Sequence, residues 1–405
     1  MSQLSYMEKL LDGVDVEWKD ISEIFHLKNG YTPSKSKTEF WENGNIPWFR
    51  MDDIRENGQI LDDSLQKISM TAIKGGNLFP ADSIIMSTSA TIGEHALVTV
   101  PFLANQRFTN LSLKPAYIDR FKIKFIFYYC FLLADWCKDN TTMSSFASVD
   151  MNGFRKFQIP IPPLNTQTEI VRILDTFTEL TAELTAELVA RKQQYAYYRD
   201  QLLTFEKGKV EWKTLDEVAN FSNGKGHEKD ISADGKYIVV NSKFISTDGN
   251  VAKYSDKQIC PLFSNDILIV MSDLPNGKAL AKTFFVEEDE KYTLNQRIGG
   301  ITAKDDMTLL PKFLYYFLNR TPQLLQHDDG ASQTNLRKGQ ILEVKIPVLP
   351  LAEQERIVTI LDKFDALTTS LTEGLPREIE LRQQQYEYYR DLLLSFPKPE
   401  VADHD

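Results

Sequence analysis

The segment FQIPIPPLNTQTEIVRILDTF, residues 157–177, returns as VKIPVLPLAEQERIVTILDKF at residues 344–364. Downstream of each copy comes a second match, RKQQYAYYRDQLLTF at 191–205 and LRQQQYEYYRDLLLSF at 381–396. Each copy begins at a proline stop (Pro160, Pro162 and Pro163; Pro347 and Pro350), crosses a polar turn holding Glu169 or Glu353 and Glu355, and continues with apolar residues at helical spacing. In the first copy these include Ile170, Ile173, Leu174, Phe177, Leu180, Leu184, Leu188, Tyr195, Tyr198 and Leu202. The pattern predicts one helix from about residue 166 to 204, roughly 60 Å long. An apolar stripe of that length needs a partner, and its own repeat is the obvious one, so the two copies are expected to pack as an antiparallel pair. Tyr195, Tyr198, Tyr386 and Tyr389 are expected to pack the ends of that pair. Between the shared ends the copies diverge. The first carries the tetrapeptide TAEL twice in tandem at 181–188, whereas the second carries Gly374 and Pro376, which predict a break or kink.

The repetition extends beyond the helices. VEWKDISEIFHLKNG (16–30) resembles VEWKTLDEVANFSNG (210–224), and ANQRFTNLSL (104–113) resembles LNQRIGGITA (294–303). The chain therefore reads as a tandem duplication, each copy a globular unit of roughly 140 residues followed by a long helix. Short β-branched runs such as DSIIMS (82–87), HALVTV (95–100), YIVVNS (237–242), DILIV (266–270) and KTFFV (282–286) predict strands, and FKIKFIFYYCFLLADWC and PKFLYYFLNR predict buried helices. The fold class is α+β. The shared frame surrounds dissimilar interiors, GYTPSKSKTEFWENGNIPWFRMDDI against GKGHEKDISADGKYIVVNSKFISTDG. One scaffold recognising two different things would look like this.

Composition limits the function classes. With 405 residues, 42% hydrophobic and 11% aromatic, the chain can bury more than one core. Three cysteines without C-x-x-C spacing indicate neither a disulfide framework nor a zinc site, which makes a reducing cytoplasm the expected compartment. The start lacks a basic region followed by an apolar run, and FIFYYCFLLADWC (125–137) is too short to span a bilayer, so no membrane attachment is expected. A formal charge of −11 argues against a uniformly basic DNA-coating protein but is compatible with local basic patches on an acidic body.

Catalytic signatures are missing: the sequence holds no phosphate loop, dinucleotide fingerprint, nucleophile elbow, H-E-x-x-H or base-flipping Asn/Asp-Pro-Pro-aromatic tetrapeptide. Adjacent acids at Asp52 and Asp53, and at Asp62 and Asp63 before Lys67, could be imagined as a nuclease site, but such pairs in turns are usually only solvated. Binding features are better represented. KNGYTPSKSK (28–37) places Lys28, Tyr31, Thr32, Ser34, Lys35 and Lys37 in an acid-free loop able to present amines and hydroxyls to phosphates or base edges. The corresponding loop of the second unit offers Lys225, His227 and Lys229 beside two acids. Arg50 after IPWF, and Asn241, Ser242 and Lys243 after YIVV, follow strands, and Arg and Asn suit bidentate base contacts. Trp48, after a proline, reads first as a core residue. The Asn-Gln-Arg triplet recurs at matched positions, which assigns Gln106, Arg107, Gln296 and Arg297 to scaffold or phosphate contact, because a sequence-reading group should differ between copies.

Taken as a set, VEWK, the loop GYTPSK (departing to GKGHEK in the second unit), IPIPPL and IPVLPL, ILDTF and ILDKF, and QYxYYRD resemble the specificity subunits of type I restriction-modification systems over essentially the full length. The tandem TAEL resembles the subgroup that varies the number of such tetrapeptides. The resemblance implies target recognition domains at 16–158 and 210–345, a central conserved spacer helix at 159–209, a C-terminal one at 346–396, an N-terminal helical piece at 1–15 and a tail at 397–405. It implies a non-catalytic protein reading a split target in double-stranded DNA, one half per domain, with the helix pair setting the gap and docking two methyltransferase subunits. S-adenosylmethionine would come with those partners, and ATP and Mg with further motor-nuclease subunits. Two other classes remain, a protein-binding scaffold without DNA affinity and a stand-alone nuclease.

Overall fold

The computed structural model describes residues 9–11, 13–142, 147–206, 208–227, 229–275, 277–370 and 373–398. Most of the expected N-terminal helical piece and of the tail lies outside the described residues. The chain divides into two compact units, Met1–Ala182 with Leu381–Asp405, and Glu183–Glu380. Five helices organise them: α1 (Ile123–Asp139), α2 (Leu164–Leu202), α3 (Pro311–Leu318), α4 (Leu351–Thr369) and α5 (Gly374–Leu394).

The repeated segments at either end of each globular part are partners of one another. In the first unit Glu17–Asp20 pairs antiparallel with Gln158–Ile161, Trp18 opposite Pro160; in the second, Glu211–Thr214 pairs with Lys345–Val348, Trp212 opposite Pro347. A two-stranded ribbon tolerates these prolines because each strand has a free edge. Between the ribbons the first unit builds a five-stranded sheet in the order Phe25–Asn29, Phe108–Leu113, Ser83–Ser87, His95–Val98, Ile60–Leu61, and a three-stranded sheet Lys67–Ile68, Ile46–Phe49, Leu103–Ala104. The second repeats the plan with Ala219–Asn223, Ile298–Ala303, Ile267–Val270, Thr283–Phe285 and, separately, Tyr254–Ser255, Tyr237–Val240, Tyr292–Leu294.

Period-two geometry at the central strands divides each core in two. Ile84 and Met86 join Phe125, Ile126 and Leu133 of α1, while Ile85 joins Trp48, Phe49 and Phe102 on the other face. Ile267 and Ile269 likewise meet Phe313 and Leu314 of α3, and Leu268 and Val270 meet Phe244 and Leu294. Covered on both faces, these strands have no solvent side, which is why DSIIMS and DILIV read as continuous apolar runs.

Helix α2 runs unbroken through both TAEL units. Its repeat is divided, as Gly374 and Pro376 predict: α4 ends at Thr369 and α5 begins at Gly374. Gly374 has φ +79°, and a Cβ there would sit 2.4 Å from the carbonyl oxygen of Ala366, so no other residue fits the turn. In the first unit Phe177 of α2 stacks on Tyr389 of α5 at 5.3 Å, and Ile170 and Leu174 share a core with Leu393 and Leu394, so the pairing is antiparallel. In the second unit the matched positions repeat the contact, Phe364 of α4 stacking on Tyr198 at 5.8 Å with Tyr195 beside it at 6.1 Å. Tyr386 also reaches the globular part, packing edge-on against Phe131 of α1 at 6.4 Å. Burial pushes the hydroxyls of Tyr195 and Tyr386 up to about 12. Beyond Leu174 the stripe of α2 is only partly covered, since one partner helix shields one side.

A pair of duplicated polar seams fastens the helices to the globular parts. Gln167 is fully buried; its amide donates to the carbonyls of Arg120 (2.9 Å) and Pro162 (2.8 Å), and its oxygen accepts from the Lys122 N–H (2.8 Å). Gln354 does the same with Thr308, Leu349 and Leu310. Two turns further on, Asp175 accepts from the Tyr128 hydroxyl (2.7 Å) and the Lys124 ammonium (2.8 Å), and Asp362 from Tyr316 (2.6 Å) and Lys312 (3.1 Å).

Candidate nucleic-acid interface

The Asn-Gln-Arg triplet is the knot of each globular part. In the first unit the Asn105 N–H donates to Phe49 (3.0 Å), the Thr88 N–H donates to Arg107 (2.9 Å), and the Tyr31 N–H donates to Ala104 (2.8 Å). In the second, Asn295 donates to Val240 (3.2 Å), Met271 to Arg297 (3.0 Å) and Lys225 to Leu294 (3.2 Å). Three segments thus converge: the glycine-containing loop, the end of the strand Ile46–Phe49 or Tyr237–Val240, and the loop after the central strand. Gly30 and Gly224 are required where the first passes the triplet, because a Cβ would lie 2.2 Å or 2.0 Å from the carbonyl oxygen of Asn105 or Asn295. The side chains of Gln106, Arg107, Gln296 and Arg297 stand exposed at the crossing. Arg297 is held at φ +68°, in the left-handed region that non-glycine residues seldom occupy.

Around the first knot lies a cleft of about 610 Å³, and it gathers Thr32, Lys35, Arg50, Gln106 and Arg107 from the residues picked out by sequence. Its walls are aromatic: Trp41 and Trp48 meet edge-on at 5.0 Å, Trp48 donating its indole N–H to Tyr31 O and Trp41 to Ser34 O, both at 3.0 Å. Thr32 donates its hydroxyl to the Gln106 side-chain oxygen at 2.5 Å, so loop and triplet share one polar surface. Lysine and arginine outnumber the single acid, Glu42, along the lining. Trp48 is buried, the core role read from sequence, and its indole also forms cleft wall. Trp41 was not anticipated; the W-x-x-G-x-I-P-W spacing was the available signal.

The other candidates of this loop are placed differently. The Tyr31 hydroxyl faces inward, donating to Ala72 O (2.9 Å) and accepting from the Lys74 N–H (2.8 Å), so its hydrogen bonding goes to the fold. Ser34 pairs with Ser36 at 2.8 Å, Lys37 lies over the Phe40 ring at 5.0 Å, and Lys28 over Phe79 at 5.9 Å; neither lysine lines the cleft.

In the second unit Lys225, bonded into the knot through its backbone, and Lys229 are exposed. His227 corrects the expectation: it is buried, with Nδ1 at 2.8 Å from Lys225 O and Nε2 at 2.9 Å from the Thr293 hydroxyl, so the ring braces the loop from beneath and cannot reach a ligand. Asn241 caps the short helix Ser242–Ser246, its side-chain oxygen accepting from the Phe244 N–H (2.9 Å), with Ser242 and exposed Lys243 in the first turn.

The acid pairs do not assemble a nuclease site. Asp53 is fully buried and both its oxygens are taken, by the N–H groups of Arg50 and Leu65 at 2.6 Å each. Asp63 pairs with Lys67 at 2.9 Å, and that lysine, with the Ser64 N–H, holds its carboxyl below the usual range. Among the described residues no cluster of His, Cys, Asp or Glu could hold a metal ion, and no helix is long and apolar enough to cross a membrane.

The sequence pattern of the type I restriction modification DNA specificity domain matches twice, over residues 13–191 and 208–381. The chain is similar to the type I restriction enzyme EcoprrI specificity subunit of Escherichia coli, 47% identical over 92% of this chain and 93% of that one. It is also similar to the EcoR124I/EcoR124II specificity subunit of Escherichia coli, 35% identical over the whole of both chains. Among solved structures, the S subunit of a type I restriction-modification system from M. genitalium covers 96% of this chain and 98% of its own, at 15% identity and a TM-score of 0.52. A chain from a study of complex assembly and conformational transition of the type I R-M system covers 94% of this chain and 98% of its own, at 15% identity and a TM-score of 0.60. At such identities these two speak for the fold.

Proposed function

This chain belongs to the type I restriction modification DNA specificity family, and we propose that it is the non-catalytic subunit that gives a methyltransferase and endonuclease complex its DNA sequence specificity. Each globular unit reads one half of a bipartite, asymmetric target in double-stranded DNA. The helix pair fixes the gap between the halves and docks two methyltransferase subunits, to which restriction subunits add. S-adenosylmethionine, ATP and Mg belong to those partners, and the complex works in the cytoplasm. The tandem TAEL at 181–188 supports assigning the chain to the subgroup that tunes the gap by tetrapeptide number.

The observation that carries this reading is the duplicated knot: the same backbone bonds hold two loops of different sequence on matched frames. Base recognition needs varied side chains on a fixed mount, because donors and acceptors must meet base edges within a few tenths of an ångström. The experiment is DNA binding by the complex assembled with its methyltransferase subunits, titrated from 50 to 200 mM salt. Affinity is expected to fall steeply with salt, as released counterions require, and to favour one duplex over scrambled competitors. A stable complex with no DNA affinity returns the protein-binding scaffold.

A further inference from the structure

At position 50 of the duplicated frame the two units put different side chains to different uses. In both, a strand that runs parallel to the strand leading into Asn-Gln-Arg ends, and a short helix begins: Phe49 then Arg50, Val240 then Asn241. In the second unit Asn241 closes its own helix with its side chain. In the first, Asp53 secures the turn by accepting the Arg50 backbone N–H, so the frame makes no use of the Arg50 guanidinium.

That guanidinium is nevertheless held in place. It lies over the Trp48 indole at 5.7 Å on the wall of the cleft, and its nearest acid is Asp52 at 3.7 Å, a distance too long for a hydrogen bond. Its Nε is buried with no hydrogen-bond partner, while the side chain as a whole keeps 34% of its surface. Nε is therefore closed to a ligand, and any contact from outside falls to the exposed part of the side chain. The cation–π contact with the indole and the ion pair with Asp52 restrain the planar fork and reduce the entropy a free side chain would lose, which favours a two-point contact. The Gln106 and Thr32 pair offers further polar groups across the same cleft.

We infer that Arg50 is a specificity-determining residue of the first unit, its guanidinium fork reading the O6 and N7 acceptors of a guanine in one half-site. The inference rests on the proposed function and sharpens it. A guanine edge presents two acceptors in one plane and so matches a fixed fork; a phosphate would satisfy the charge as well, but a phosphate contact carries no sequence information.

The test uses the complex of the full chain with its methyltransferase subunits and a library of duplexes randomised across both half-sites. Wild type should demand guanine at one position in the half-site read by the first unit. In Arg50→Ala and Arg50→Gln that preference should drop roughly 5- to 150-fold, with preferences in the other half-site unchanged. Hydrogen exchange across residues 46–57 shows whether each variant keeps its fold, and Arg50→Lys, which retains the charge but not the fork, should weaken the preference less than Arg50→Ala does while keeping the salt dependence. Uniform weakening on all duplexes, with a salt slope shallower by about one, assigns Arg50 to a phosphate and overturns the inference. So does a wild-type first half-site without guanine on either strand. A wild-type complex with no base preference anywhere would instead remove the proposed function itself.

Discussion

Gln167 and Gln354 show how much a single buried amide can hold. Each satisfies three backbone groups at the junction of a long helix with its globular unit, and each is fully buried. Replacing either by leucine leaves those groups without partners, at about 1–3 kcal/mol for each unsatisfied group. Gln167→Leu should therefore destabilise the first unit by on the order of 3 kcal/mol or more, seen as faster amide exchange in α1; a change below about 1 kcal/mol would contradict the clamp. His95 gives a pH signature. Burial pushes its imidazole down to about 4 from 6.5, so the unfolded chain binds a proton between those values that the native unit refuses. Stability of the first unit should be level above pH 6.5 and decline as pH falls from 6.5 towards 4, and His95→Gln should flatten that decline. At this scale the sequence was partly legible. Trp48 and the triplet were identified because their neighbours or their repetition speak for them. His227 was misplaced because a lone histidine in a polar loop looks the same whether it faces water or braces the loop from beneath. Gln167 and Gln354 passed unnoticed although they are identical in both copies, since a glutamine on a helix surface is ordinarily solvated.

The long helices were the most legible elements, because proline stops, helical spacing and repetition all agree over many residues. Even the division of the second copy into α4 and α5 follows from Gly374 and Pro376, a left-handed turn and a residue suited to the first turn of a helix. The incomplete cover of Leu180, Leu184 and Leu188 was not legible, because spacing states which residues share a face and not how many partners that face has. The TAEL pair lies in the middle of α2, far from any seam, so its length can change without disturbing either attachment. Inserting a third TAEL after Leu188 adds roughly 6 Å and about 40° of rotation. The unread gap of the DNA target should lengthen by one or two base pairs, both half-sites staying as they were, when the methylated motif of the insertion variant is read; an unchanged gap would refute the ruler. Tyr198→Ala and Tyr389→Ala remove matched ring stacks worth about 0.5–1.5 kcal/mol beyond area burial, and should loosen the helix pair locally, measured by amide exchange in α2.

The duplication governs the whole molecule. The chain makes the same knot twice, fastens a long helix to each globular part through matched Gln and Asp seams, and varies the side chains mounted on the knot. A formal charge of −11 does not prevent DNA binding on this plan, because attraction within a Debye length depends on the local face, where Lys35, Arg50 and Arg107 gather. The tandem plan was legible from repeats alone; the cleft was not, because Thr32, Trp41, Arg50 and Gln106 come together only through strand pairing between distant segments. The most direct test of a two-headed DNA reader is to express the chain with its methyltransferase subunits in a host lacking such a system and map N6-methyladenine by native long-read sequencing. The account predicts one split motif with two unrelated halves and a fixed gap. A stable complex that leaves no new methylation, or that marks a single continuous motif, would contradict it.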